Sequence, residues 1–156
     1  MSPKLLTQMF TYNHYCLKRN VEGITAAESL FQPRPGGNCL NWIVGHILAT
    51  RNYVFFCLKL DPVLSETEAL PYKRGSEPLN PDNAKPWAEL LEKMDRSQEQ
   101  LISALTKLPP EALQTTDPGD TETLGEKLVG LHFHEAYHIG QTGILRRLLG
   151  KPGAIQ

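Results

Sequence analysis

In four stretches of this 156-residue chain the apolar residues return every third or fourth position, and prolines and glycines gather between the stretches. That period places side chains on one face of an α-helix, whereas a strand alternates every second residue. The chain therefore reads as all-α. Ser2-Pro3 suits a helix opening, because proline loses nothing at the first helical position. Leu5, Leu6, Met9, Phe10, Tyr12, Cys16 and Leu17 follow, predicting a first long helix over about 3–20. A short turn around Thr25 to Leu30, capped by Thr25, is expected next.

Gln32-Pro-Arg-Pro-Gly-Gly37 is a breaker cluster, and Asn38 stands where an N-cap belongs. The segment CLNWIVGHILATRNYVFFCLKL is apolar nearly all round, so the second long helix, about 39–60, is expected to be the most buried. Gly45 inside it costs roughly 1 kcal/mol relative to alanine. A close helix–helix approach, or open space beside His46, is the expected reason. Residues 61–86 carry Pro62, Pro71, Pro78, Pro81 and Pro86 and show no sustained period. Unstructured loops of that length are uncommon in a compact domain unless functional or crossing over. This one is long enough to run the length of a bundle and make the helices on either side parallel neighbours.

Trp87, Leu90, Leu91, Met94, Leu101, Ile102 and Leu105 predict a third long helix over about 86–107, stopped by Pro109 and Pro110. A polar loop to about 121 is expected there. Thr123-Leu-Gly-Glu126 matches a capping box and opens a fourth helix that runs through Leu128, Leu131, Leu145 and Leu148 to Gly150. Four long helices without a credible strand imply a four-helix bundle, and the length suits one domain over residues 1–156.

Sixteen basic residues against seventeen acidic leave a formal charge of −1, with no basic block to follow a phosphate backbone or an anionic membrane. Nucleic acid and membrane partners are not expected. No apolar run reaches eighteen residues, and the N-terminus lacks the apolar core and cleavage site of a signal peptide. Cys16, Cys39 and Cys57 are odd in number and share no Cys-x-x-Cys spacing, which reads as reduced thiols in a cytoplasmic protein.

Chemistry concentrates in LHFHEAYHIGQ of the fourth helix. His134 and His138 lie one turn apart on the face that carries Leu131, Leu145 and Leu148, so both imidazoles point inward. Buried imidazoles need partners. A shared metal ion satisfies both, and a hydrogen-bonded pair of core histidines is the alternative. His46 lies about 12 Å into the second helix, a depth that overlaps the pair if the two helices run antiparallel. Metal sites in bundles are built in this way from facing helices. HEAYH also fits His-Glu-x-x-His, with Glu135 as a base or as a carboxylate behind the ligands. Residues 139–156 hold no His, Glu or Asp to complete a zinc-protease ligand set. His132 is two residues from His134 and faces another way; His14 is expected to be partly exposed. Gln141 falls one turn beyond His138, where it lines the pocket or bonds locally.

RPGGNCLNWIVGHI and HEAYHIGQ together resemble the DinB-like proteins, bacterial four-helix bundles of the superfamily that holds bacillithiol transferases and mycothiol-dependent maleylpyruvate isomerases. The resemblance implies an up-down-down-up topology with a long crossover between the second and third long helices, and a homodimer. It implies a divalent metal ion held by His46, His134 and His138, with zinc, nickel, manganese and iron as the candidates. Three neutral imidazoles leave the ion its full charge and an open position. The implied reaction is thiol S-transfer to a small electrophile, with a low-molecular-weight thiol as co-substrate. A metal-dependent hydrolase and a non-catalytic, stress-related metal-binding module are the other readings.

Overall fold

The computed structural model describes residues 1–34 and 36–155. Pro35, part of the expected breaker cluster, lies outside the described residues. Six α-helices and two 3-10 turns make up the ordered elements, with no strand among the described residues. Four helices are long: α1 (Pro3–Val21), α3 (Leu40–Cys57), α5 (Trp87–Lys107) and α6 (Leu124–Leu148). Two are single turns, α2 (Ala26–Ser29) and α4 (Glu66–Ala69), and the 3-10 turns are Leu70–Tyr72 and Pro110–Gln114.

Local chemistry sets most of the boundaries. Ser2 caps α1, its hydroxyl accepting from the Leu5 amide, with Pro3 at the first turn. Thr25 with Glu28, Ser65 with Glu68 and Thr123 with Glu126 form reciprocal capping boxes at α2, α4 and α6. At α3 the expected cap is displaced by one residue: Cys39 sits at the N-cap, its sulfur 3.5 Å from the Trp42 amide, and Asn38 lies outside. The 61–86 connection is less irregular than expected, because α4 and the Leu70–Tyr72 turn lie within it. The loop after α5 likewise holds a 3-10 turn whose Leu113 is fully buried.

α1 and α3 each pack against both α5 and α6. Residue numbers rise together along α1 and α6, where Asn13 reaches the His132 carbonyl and Asn20 that of Ile139. They run oppositely along α3 and α6, where Trp42 meets His138 and Arg51 meets Glu135. Along α1 and α5 they also run oppositely, from Lys18–Asp95 to Phe10–Gln98. Along α3 and α5 they rise together, from Asn41 at Lys85, just ahead of α5, to Arg51–Ser97.

Two apolar clusters form the core. One gathers Leu17, Ile43, Ile47, Leu90, Met94 and Ile139; the other gathers Phe10, Val54, Phe55, Leu101, Leu105 and Leu128. On every long helix a polar residue falls between the two sets: Asn13, Arg51, Ser97 with Gln98, and Glu135, all buried. Arg51 organises this layer. Its guanidinium donates to both carboxylate oxygens of Glu135 at 2.9 Å, to Ser97 Oγ at 2.7 Å and to Gln98 Oε1 at 2.8 Å. Gln98 passes the network on to the Phe10 carbonyl at 3.2 Å. A charge taken wholly out of water is tolerable only when paired and bonded in this way.

Candidate metal centre

His46 projects from the middle of α3, and His134 and His138 project from successive turns of α6. The three rings converge, with centroids 5.1 Å apart for His46 and His134, 4.7 Å for His46 and His138, and 4.6 Å for His134 and His138. One ring nitrogen from each lies within 4.8 Å of the other two, a spacing that suits a metal ion. His46 Nε2 and His134 Nε2 approach to 3.2 Å.

Hydrogen bonds behind the rings select the tautomers. His46 Nδ1 stands 2.7 Å from the Tyr72 carbonyl, which accepts only, so Nδ1 carries the proton and Nε2 is left with its lone pair. The His138 Nδ1–H donates to Gln141 Oε1 at 2.9 Å and leaves Nε2 free in the same way. Partners that hold the far nitrogen of a ligating histidine fix both tautomer and ring angle. Trp42 adds to this by stacking on the His46 ring at 4.5 Å and 12°. His134 Nδ1 is buried without a hydrogen-bond partner. At 3.2 Å from the His46 Nε2 lone pair, His134 Nε2 either donates a proton to it or shares a cation with it.

Burial drives the His134 pKa down to about 4, and the neighbouring His138 and His46 push the same way. Burial lowers His46 as well, against the opposing pull of the Tyr72 carbonyl. Both rings are therefore neutral near pH 7, the form that ligates metals.

Gly45 has a different explanation from either expected one. A Cβ there would stand 2.1 Å from Tyr72 Cδ1, so the glycine makes room for a ring from the crossover segment. The same residue whose carbonyl orients His46 thus packs on the α3 backbone one position before it. Glu135, expected as a base or a carboxylate behind the ligands, gives both oxygens to Arg51. His132 packs edge-on against Phe10 at 5.4 Å, and His14 Nε2 lies 3.1 Å from Asp95; neither joins the cluster. Leu148, expected on the inward stripe of α6, is 56% exposed.

Sequence reasoning missed Arg51 and Tyr72. Arg51 had left one sign, a charge in the middle of a nearly apolar helix. Tyr72 left none, since its contribution is a backbone carbonyl.

An all-helical protein that draws three histidines from two facing helices has the architecture of a helical metal-binding protein. The chain belongs to the DinB superfamily: the sequence model of that superfamily matches residues 15–142, a span that includes all three histidines. No curated protein sequence matches this chain. Family and triad together suit metal binding. Among the described residues no helix is long and apolar enough to cross a membrane.

Proposed function

We propose that the chain binds one divalent ion (zinc, nickel, manganese or iron) through His46, His134 and His138 and serves as a thiol S-transferase on a small electrophile. The observation that carries the reading is the convergence of three ring nitrogens within 4.8 Å, with no carboxylate in the cluster. When bound, a divalent ion would keep its full positive charge and supply a Lewis-acid position able to lower the pKa of a thiol. The protein's own part is to hold the ligands neutral and pre-aimed. The Tyr72 carbonyl and Gln141 Oε1 orient two of the rings, and Trp42 blocks rotation of the His46 ring. In such a transfer the thiol gives its proton to solvent, its sulfur forms the new C–S bond, and the leaving group departs with its electron pair. Glu135 is assigned to structure, because Arg51 already occupies both of its oxygens.

The four long helices are read as an up-down-down-up bundle forming one domain, a reading supported by the paired registers of α1 with α6 and α3 with α5. A homodimer is proposed on the outer face of α6. Phe133, Tyr137, Ile144 and Leu148 are 70%, 59%, 63% and 56% exposed there, beside Gly140. Between 128 and 145 the only Asp, Glu, Lys or Arg is the buried Glu135. Three unpaired cysteines support a reducing, cytoplasmic setting.

Elemental analysis of untagged protein, purified without added metal or chelator, should give near one equivalent of a divalent metal per chain. His134→Ala should lose it while keeping its helical circular dichroism. Stoichiometric metal retained in that variant would mean that the ligands are misassigned. A thiol-and-electrophile screen then separates the chemistries: a transferase consumes thiol only with electrophile present, a hydrolase turns over without thiol, and a binding module does neither.

A further inference from the structure

We propose that the groove between α3 and the crossover segment binds a small organic anion, a carboxylate with an apolar body, as the substrate presented to the histidine centre. The cavity measures about 550 Å³, a size suited to a small-molecule ligand. His46, Ala49, Tyr53 and Phe56 recur at helical spacing along one wall. Pro62, Leu64 and Ala69 of the crossover segment face them. Tyr53 and Phe56 hold their rings nearly parallel, 6.2 Å apart at 13°, and both are exposed. The pair offers exposed apolar ring surface of the kind an aromatic or aliphatic body packs against.

The charge at the rim points to the sign of the ligand. Lys73 and Arg74 line the groove, are exposed, and form no ion pair among the described residues. Lys85, in the same connection, is by contrast held by Glu68 and Glu89. Glu66 is the one carboxylate in the lining, so two cations stand against it. This local excess occurs on a chain whose formal charge is −1, so it is not a property of the surface at large. His46 belongs both to the groove wall and to the triad, which places an occupant's far end beside the ligand cluster. The role as substrate rests on the proposed metal reading; the binding itself does not.

The test is an NMR titration of the 15N-labelled full chain, metal-free and again with zinc added. The probes are 3-phenylpropionate and its uncharged analogue 3-phenylpropanamide. The carboxylate should shift the amides of Thr50, Tyr53 and Lys73 and bind about fivefold more tightly than the amide, as expected for two exposed cations. Lys73→Glu with Arg74→Glu, both at the surface, should remove that preference without changing the circular dichroism, and salt at about 0.5 M should shrink it. Equal affinity for the two probes, or shifts located elsewhere on the molecule, overturns the proposal. Groove shifts in a protein that takes up none of zinc, nickel, manganese or iron leave this site standing and remove the metal reading. Zinc uptake with a silent groove does the reverse.

Discussion

Arg51 shows what a single side chain decides in this molecule. It has no exposed surface, and its guanidinium joins α3 to α6 through Glu135 and to α5 through Ser97 and Gln98. Removing one partner of such a pair strands the other charge in the core. Arg51→Met should cost about 3–5 kcal/mol in chemical denaturation, and Arg51→Met with Glu135→Leu should cost less than the single change. A single-variant loss under about 1 kcal/mol would show that the layer does not hold the helices together.

The histidines make a second residue-scale prediction. Burial lowers His14, and the charge of Arg51 adds to it; His46 and His134 are lowered as well, His134 to about 4. In each case the unfolded chain takes up its proton first as pH falls below the ordinary value of 6.5. The stability is therefore complete above 6.5 and drains between there and about 4, where folded His134 itself protonates. Metal-free protein should denature at lower urea at pH 5 than at pH 7.5, with His134→Gln reducing the difference. Identical midpoints at the two pH values would exclude this linkage. The histidines were legible in the sequence because their type and spacing are the signal. Arg51's partners were not, since they lie 46, 47 and 84 residues away and no local pattern announces them.

At the scale of elements, capping chemistry was the most readable feature. Thr123 and Glu126 open α6 as a reciprocal box, and Thr25 caps α2, because each needs only residues three apart. The start of α3 was read one residue early, since Asn is a better cap by type than Cys. In α6, Gly140 is an exposed glycine inside a helix, and a Cβ there would meet nothing within 4 Å. Within a lone chain Gly140→Ala should stabilise by about 0.5–1 kcal/mol through helix propensity alone. If a second copy crosses there, the same methyl group should weaken association. Thermal melts at dilute and concentrated protein separate the two effects, and a variant neutral in both would leave this glycine without a role. The connection between α3 and α5 was the least legible element. Its turns α4 and Leu70–Tyr72 are too short to display a period.

For the whole molecule, the uncharged outer face of α6 predicts that sedimentation at micromolar concentration gives twice the 17.5 kDa chain mass. Ile144→Asp, which would bury a charge in that interface, should return the monomer. A wild-type monomer at that concentration would remove the dimer. The sequence by itself determined the helical class, the approximate ends of the long helices and the identity of the three converging histidines. Those follow from periodicity, capping and residue type, all properties of neighbours along the chain. Only the tertiary structure decided that Tyr72 would seat on Gly45 and turn His46, that Arg51 would tie a polar layer between two apolar clusters, and that a cationic groove would open beside the centre. Each of these depends on which distant side chains meet when the helices pack. That outcome is set by the shape and burial of whole faces, information that no short window of sequence contains.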